Sequence, residues 1–342
     1  MAVAFSGGSV VDGVAAADLA VQPVGEAAEV LEDVWQIKLP VPFPLGFVAA
    51  YMVEGPQGWT LIDAGYDYRP AREAWKAGSA AAGLDLSRDV ERLIITHFHP
   101  DHLGAARWLQ QVSGAPVFMM DREIPFARRL WGSPDAGPFV ELLVRNGMPQ
   151  GMAEKGAAAM RSGLALPETL SPLSAGEKLQ LGAGVARVLH APGHADHQLV
   201  LHDEDRRILF AADHLMLGIT PNVGLWPETE PRPLACYLGS LASMRGLDVD
   251  LVLPGHGPVF RDLAGRIDEI TDHHAERLET MHATLGAGPK TPYEVSRIVF
   301  SGTLSVYQRC FALAETLAHL DHLALEGRAR AIGDEAVYYG AA

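Results

Sequence analysis

The stretch LIITHFHPDH, Leu93 to His102, decides how the rest of the chain is interpreted. Its apolar, β-branched first half predicts a buried strand, and a helix is expected from Leu103 to Gln111 with Asp101 as its N-cap. The turn between them carries three imidazoles and one carboxylate: His97, His99, Asp101 and His102. Burying an unpaired polar group costs several kcal/mol, so these side chains must face water or a metal ion. Four such groups within six residues favour a metal.

The composition is that of a soluble globular protein with a large core. The chain has 342 residues, of which 48% are hydrophobic and 20% charged. A formal net charge of −15 makes nucleic acid and anionic membrane surfaces poor partners. No apolar run is long enough to span a bilayer. The first 31 residues contain no lysine or arginine, whereas a signal peptide begins with a basic segment, and we expect a cytoplasmic protein.

The two cysteines, Cys236 and Cys310, lie far apart and form no C-x-x-C pair. This spacing argues against a disulfide framework and against a thiolate zinc site. It fits a reducing compartment such as the cytoplasm.

An apolar strand followed by a turn with aspartate or histidine recurs at four further places. These turns carry Asp63, His194, Asp213 and His256. In α/β sheets the loops at strand ends project to one side, so residues far apart in sequence can converge there. Asp63 alone would be interpreted as a turn residue. In this context we interpret it as a carboxylate that orients a ligand histidine.

The sequence pattern predicts three regions in the chain. Residues 1–29 form a leader, residues 30–262 a catalytic domain, and residues 263–342 a helical region that ends in a small hairpin and resembles a winged helix. Within the catalytic domain, residues 121–170 form a helical insertion, which either packs on the core or caps the site. The C-terminal region holds four more acidic than basic residues. This favours packing or dimerisation over DNA binding.

The order of the motifs is similar to that of the metallo-β-lactamase-fold hydrolase superfamily. H-x-H-x-D-H comes first, and a P-G-H, a strand-ending aspartate and a second P-G-H follow, from Val30 to about Phe260. Within that superfamily the chain resembles the glyoxalase II and lactonase branch. The fold implied is α/β, an αββα sandwich of two mixed sheets with helices outside, here with the helical C-terminal appendage.

The resemblance also implies a ligand set. It assigns His97, His99 and His194 to one metal and Asp101, His102 and His256 to a second, with Asp213 bridging both. The expected cofactor is two Zn²⁺, with iron or manganese as alternatives, because imidazole and carboxylate donors without thiolates suit these ions. Asp101, as a proton carrier, and Asp63, behind a ligand histidine, are the expected catalytic residues.

The predicted function is a dinuclear-metal hydrolase that uses a metal-bridging hydroxide to cleave a small ester, lactone, thioester or phosphoester. The first alternative is a mononuclear iron oxidoreductase of the same fold, similar to a persulfide dioxygenase. A nucleic-acid-processing hydrolase is the second alternative, which the acidic charge disfavours.

Candidate substrate contacts come from the insertion and from the loop after Asp213. They are Met216, Asn222, Trp226 and Trp131. Tyr307 of the C-terminal region is a further residue that could reach the site, whereas His273 and His274 are expected to be solvated or interfacial. The expected partner is a small-molecule substrate, and a homodimer is possible.

Overall fold

A computed structural model describes residues 22–132, 135–160, 163–333 and 336–342. Residues 1–21, most of the predicted leader, lie outside this part of the chain. The first described strand begins at Ala27, three residues before the predicted start of the catalytic domain. The division of the chain into three regions otherwise stays a prediction.

Seven strands form the first sheet, in the order β1-β2-β3-β4-β5-β6-β7. They are β1 (Ala27–Leu31), β2 (Val34–Pro40), β3 (Phe47–Gly55), β4 (Gly58–Ile62), β5 (Val90–Ile95), β6 (Val117–Met120) and β7 (Ser171–Leu173). The first four strands are antiparallel neighbours. From β4 to β7 the neighbours are parallel.

The helices that follow these strands include those of the predicted insertion. They are α1 (Arg69–Ala81), α2 (Pro100–Leu103), α3 (Ala106–Ser113), α4 (Glu123–Gly132), α5 (Gly137–Arg145) and α6 (Gln150–Met160). The last three fall within residues 121–170 and connect β6 to β7.

Five strands form the second sheet, in the order β12-β11-β10-β9-β8. They are β8 (Lys178–Leu181), β9 (Gly184–His190), β10 (Leu199–Asp203), β11 (Ile208–Ala212) and β12 (Leu251–Pro254), with α7 (Pro233–Met244) between the last two. Within this second sheet, as far as the structure describes it, β11 and β12 pair in parallel and the other neighbours are antiparallel. The hairpin predicted around Asp203 is present as β10 and β11.

The C-terminal region consists of three helices and a two-stranded sheet. These are α8 (Leu263–Leu285), α9 (Pro292–Val299), α10 (Val306–Leu325), β13 (Ala329–Ile332) and β14 (Tyr338–Ala341). The hairpin predicted at the end of the chain is the antiparallel pair of β13 and β14.

Strand β3 shows how the sequence builds the layers. Successive side chains of a strand point to opposite faces, and both faces of β3 are apolar. Val48 and Met52 pack beneath the helices outside the first sheet, whereas Tyr51 and Val53 pack between the two sheets. On the outer face of the second sheet, Leu209 packs with α7 and α8. The fold is therefore the αββα sandwich that the resemblance implies.

Hydrogen bonds join the two sheets at one edge. The Tyr51 hydroxyl donates to the carbonyl of Pro254 at 2.8 Å, and the amide of Ala49 donates to the carbonyl of Gly255 at 2.7 Å. Both acceptors lie where β12 ends, so the sheets are fixed together beside the predicted site.

The insertion packs on the C-terminal region as well as on the sandwich. Phe139 and Leu143 of α5 share a buried apolar cluster with Cys310 and Leu313 of α10. Where α6 meets α10, a Cβ atom at Gly156 would collide with the Cys310 sulfur, so this close approach of two helices needs glycine.

Within the described ranges, the structure contains no helix that is both long enough and apolar enough to cross a membrane.

Candidate metal centre

The five predicted motifs lie at the carboxyl ends of five strands. Asp63 follows β4, the H-x-H-x-D-H segment follows β5, His194 follows β9, Asp213 follows β11 and His256 follows β12. Strands β4 and β5 are parallel, as are β11 and β12, and β9 runs in the direction of β11 because β10 is antiparallel to both. The strand ends therefore share an edge within each sheet, and the structure brings all eight side chains to one place.

Pro100 sets the local shape of the H-x-H-x-D-H segment. The short helix α2 begins at Pro100, with His99 as its N-cap and Asp101 in the first turn. The predicted role of Asp101 as an N-cap is therefore wrong. Proline suits the first helical position because its fixed φ is already helical and its missing N–H is not needed there. The predicted helix is also divided at Gly104 and Ala105, and α3 starts at Ala106.

Four imidazole rings aim a nitrogen at a common centre where no protein partner meets it. Five side-chain atoms here are buried and have no hydrogen-bond partner. They are Nε2 of His97, His102, His194 and His256, and Oδ1 of Asp213. Buried polar atoms in native proteins are almost always satisfied. A cluster of five unsatisfied atoms that all come from metal-ligating residue types therefore fits a cation.

The distances divide these donors into overlapping groups of three. The ligating atoms of His97, His99 and His194 lie within 4.8 Å of one another, as do those of Asp101, His102 and His256. A third group of the same size joins Asp213 to one histidine of each of these groups, His97 and His102. The first two groups contain the residues of the two predicted ligand sets, and the assignment of one ion to each set stays a prediction.

Asp213 lies between the two groups. One oxygen, Oδ1, is 3.3 Å from His102 Nε2. The other, Oδ2, is 3.5 Å from His194 Nε2 and 3.4 Å from His256 Nε2. A side chain at Gly255 would collide with Asp213 Oδ1, so glycine at this turn lets the β12 loop approach the carboxylate.

In four of the five candidate ligand histidines, all except His99, the Nδ1 atom has a partner on the side away from the centre. Nδ1 of His194 donates to the carbonyl of Asn222 at 2.9 Å, and Nδ1 of His256 donates to the carbonyl of Phe47 at 2.7 Å. In the neutral ring, a donor bond from Nδ1 leaves Nε2 unprotonated, which is the form that binds a metal. These partners hold the rings in the ligating tautomer.

Asp63 holds His102 in the same way. Its Oδ2 accepts from His102 Nδ1 at 2.7 Å, and its Oδ1 accepts from the amide of Thr96 at 2.8 Å. The Thr96 hydroxyl, also bonded to Asp63, lies 3.0 Å from Nδ1 of His97. Asp63 therefore contacts the candidate ligand His102 directly and reaches His97 through Thr96. That it orients these ligands stays a prediction.

The comparisons with known proteins agree with this geometry. Residues 43–256 match the model of the metallo-beta-lactamase superfamily. The chain belongs to that superfamily. Residues 278–339 match a second model, the metallo-beta-lactamase-like C-terminal domain. This membership and the histidine and aspartate cluster identify the chain as a metal-dependent hydrolase.

Individual relatives cover most of the chain. The probable metallo-hydrolase YqjP of Bacillus subtilis (strain 168) is 30% identical over 86% of this chain and 93% of its own length. A metallo-beta-lactamase family protein from Thermus thermophilus has a solved structure with a TM-score of 0.83 and 34% identity, over 92% of this chain and all of that one. The acyl-coenzyme A thioesterase MBLAC2 of Homo sapiens is 27% identical over 61% of this chain and 73% of its own length.

The electrostatics of the superfamily site favour cation binding. Burial and the neighbouring imidazoles lower the pKa of His97 and His99 well below the ordinary value, so both rings are neutral. Burial acts against the charged form of His256, but Asp213 and Asp101 outweigh it and raise the pKa of His256 to about 10. The carboxylates thus draw positive charge to the centre, and protons compete there with metal.

Two connected cavities open from the site. The smaller, about 100 Å³, is bounded by the ligand residues and by Met216 and Asn222. The larger, about 350 Å³, is lined by Trp131 and Trp226. The four residues predicted to contact substrate therefore line one cavity or the other, and Tyr307 lines both. Their role in substrate binding stays a prediction.

Several lining or supporting residues were missed from the sequence. Phe43 lines both cavities from the proline-rich loop between β2 and β3, where an aromatic residue among prolines is the available signal. Glu123 is buried under the H-x-H turn and accepts from the amide of Phe98 at 3.0 Å. Nothing in the local sequence separates it from other glutamates at helix starts.

Of the two alternatives predicted for His274, solvated or interfacial, the solvated one is wrong. The residue is 1% exposed, and its Nδ1 lies 3.1 Å from Nε2 of His319 on α10. It is buried because α10 covers this face of α8, a contact between helices that the helix pattern alone does not reveal.

Proposed function

We propose that this chain is a dinuclear zinc hydrolase that cleaves a small ester, thioester, lactone or phosphoester. One observation carries the proposal: two triads of ligating atoms, each within 4.8 Å, lie on either side of Asp213. His97, His99 and His194 would hold one ion, and Asp101, His102 and His256 the other. Asp213, whose two oxygens lie near histidines of both triads, would help to hold both ions.

Zinc suits the donors. They are imidazole nitrogens and carboxylate oxygens, with no thiolate in the group, and sites with such donors bind zinc, iron or manganese. When bound, such a pair of ions supplies a water of lowered pKa and polarises the substrate oxygen.

Individual residues have separate roles in the proposed hydrolysis. Asp101 is assigned as the proton carrier from its place among the donors. Burial alone would raise its pKa, but His102 and His256 lower it to about 2, so the carboxylate is ionised. Its Oδ2 lies 3.2 Å from His256 Nε2, inside the donor cluster. Asp63 keeps His102 in its ligating orientation. The aromatic walls of the larger cavity exclude water from the bound substrate.

One relative and the lining of the larger cavity support a substrate with an acyl group, such as an ester or a thioester. One relative is named an acyl-coenzyme A thioesterase, and the larger cavity is mainly apolar, as acyl groups require. A small-molecule partner, a cytoplasmic location and a possible homodimer are retained as predictions.

The test uses zinc-loaded and metal-stripped full-length protein with four probes: p-nitrophenyl acetate, p-nitrophenyl phosphate, a γ-lactone and S-phenyl thioacetate. We expect zinc-dependent turnover of at least one probe. The variant His97→Ala should lose that turnover, because its ring touches three other histidines of the site. His282→Ala on α8, which is partly exposed, is the matched control and should retain it.

Three outcomes would overturn the proposal. The first is equal turnover by stripped, zinc-loaded and His97→Ala protein. The second is a protein that binds one iron and consumes oxygen with a persulfide substrate, which would support the oxidoreductase alternative. The third is RNA cleavage by the same samples, which would support the nucleic-acid alternative.

A further inference from the structure

The larger cavity is continuous with the metal site. Both cavities are bounded by His99 and His194 of the ligand set and by Phe43, Tyr307 and Phe311. A substrate whose reacting bond lies at the ligands therefore extends into the larger space. Its volume of about 350 Å³ is at the small end of the range for small-molecule pockets.

The lining of this space is aromatic and lacks positive charge. Nine of its twenty lining residues are Phe, Tyr or Trp, and in the described part of the chain no lysine or arginine lines it. The charged groups that do line it, apart from histidine, are the carboxylates of Asp196 and Glu228. Among the described lining residues, an anionic group buried here would meet these carboxylates and no lysine or arginine, so the lining would repel it.

The walls come from both the insertion and the C-terminal region. Phe139 of α5 stacks on Trp226 with ring centroids 5.5 Å apart, and Trp226 meets Phe311 of α10 edge-on at 5.4 Å. Phe311 in turn packs against Tyr307 at 4.9 Å. The loop that carries Trp226 is also tied to α10, because the amide of Leu225 donates to a carbonyl of that helix at 3.0 Å.

We propose that this cavity binds an uncharged, apolar acyl group of the substrate, and that α10 makes the C-terminal region a specificity element. This inference rests on the proposed hydrolase function. It assigns the C-terminal region a role in choosing the substrate, in addition to packing.

The test is a series of p-nitrophenyl esters from acetate to octanoate with the zinc-loaded protein. Burial of each added methylene is expected to raise kcat/KM about fourfold until the cavity is full. The mono-p-nitrophenyl ester of adipic acid, which ends in a carboxylate, should be cleaved at least about tenfold more slowly than the hexanoate ester of equal length.

Two variants of α6 provide a matched pair. Both Ala158 and Ala159 are exposed, but only Ala159 is among the residues that line the cavity. Ala159→Trp should fill the cavity and reduce the octanoate-to-acetate ratio of kcat/KM by about tenfold or more. Ala158→Trp adds the same indole to the outside of the helix and should keep the wild-type ratio.

The outcomes separate this inference from the proposed function. Zinc-dependent hydrolysis with no preference for longer chains, or with a preference that Ala159→Trp leaves unchanged, would overturn the acyl cavity and leave the hydrolase standing. A faster reaction with the adipate ester would also overturn it. If no ester of the series is hydrolysed, acetate included, with or without zinc, the proposed ester hydrolysis is overturned. This inference, which rests on it, is then overturned as well.

Discussion

The side-chain amide of Asn222 donates a hydrogen bond of 2.9 Å to the carboxylate of Glu315. Asn222 is also the residue whose backbone carbonyl accepts from Nδ1 of His194 at 2.9 Å. The pair therefore links the C-terminal helix α10 to a candidate metal ligand through one intermediate residue. Glu315 is buried, and burial raises the pKa of its carboxyl group.

Removal of this link should weaken metal binding. Glu315→Ala leaves the buried amide of Asn222 with only a 3.4 Å contact to the carbonyl of Phe311, and the loop that orients His194 loses its support. Loss of an interaction behind a metal ligand typically costs about 10–100-fold in metal affinity. We expect a loss of this size in a zinc competition assay with a chromophoric chelator.

The conservative variant is the control for the Glu315 prediction. Glu315→Gln keeps a neutral oxygen that accepts from Asn222, and its zinc affinity should stay within about threefold of wild type. If Glu315→Ala lowers the melting temperature of the metal-free protein but binds zinc as tightly as Glu315→Gln, the link has only a structural role.

Asp63 can be tested without disturbing the backbone. Its φ is +63°, in the left-handed region that asparagine tolerates better than alanine. Asp63→Asn should therefore fold, but it keeps one acceptor oxygen in place of two. It cannot accept from both the Thr96 amide and His102 Nδ1 in their present positions, so the hold on His102 is weakened. We expect zinc affinity to fall about 10–100-fold, measured by the same competition assay.

Asp63→Ala provides the comparison. It removes the bond to His102 and adds a backbone cost of about 1–2 kcal/mol in the left-handed conformation, so its free energy of unfolding should fall below that of Asp63→Asn. Zinc binding by Asp63→Asn that equals wild type would contradict the assigned role.

The contact between α6 and α10 predicts opposite effects for two glycines of one helix. Gly156→Ala would press a methyl group onto the buried Cys310 sulfur, and overpacking of this kind costs about 1–3 kcal/mol. Gly151→Ala meets no atom within 4 Å and should be neutral or stabilising by up to about 1 kcal/mol. Chemical denaturation of the metal-free variants measures both.

A second substitution tests whether the contact itself is the cause. Cys310→Ala removes the sulfur, so the double variant Gly156→Ala, Cys310→Ala should lose less stability than the two single changes predict together. Simple additivity of the two single effects would show that the sulfur is not what excludes a side chain at position 156.

Glu123 predicts a pH dependence of stability. Burial raises the pKa of its carboxyl from 4.5 to about 8, so between these values the folded state holds a proton that the unfolded state releases. The free energy of unfolding of the metal-free protein should therefore fall as pH rises through this window, by at most about 1.4 kcal/mol per pH unit from this group. Below pH 4.5 the group contributes no pH dependence.

Glu123→Gln isolates this contribution. The amide keeps an oxygen for the N–H of Phe98, which the carboxylate accepts at 3.0 Å, but it does not titrate. Its stability curve from pH 5 to 8 should be flatter than that of wild type. Parallel curves would mean that Glu123 is ionised in the folded protein across this range.

The layers and the site were largely predictable because their signals are local. The strand before His97 ends in three apolar residues, Leu93 to Ile95, and each candidate ligand follows the end of a strand within a few residues. Strands of one direction present their ends at one edge, so the local pattern was enough to predict that the five turns converge.

What the sequence could not show are contacts between segments far apart in the chain. The packing of α6 on α10 joins Gly156 to Cys310, and the link from Asn222 to Glu315 spans 93 residues. Neither pair has a spacing that marks it as a contact. The burial of His274 was missed for the same reason, because its partner His319 lies on another helix.

The most direct test of the account is the metal content of the purified, zinc-reconstituted protein, measured by mass spectrometry per folded chain. We predict two zinc ions for wild type and for Asp272→Ala, an exposed position on α8, and fewer than two for Asp213→Ala, which lacks the carboxylate between the two triads. One ion or none in wild type, or two ions retained without Asp213, would contradict the paired site.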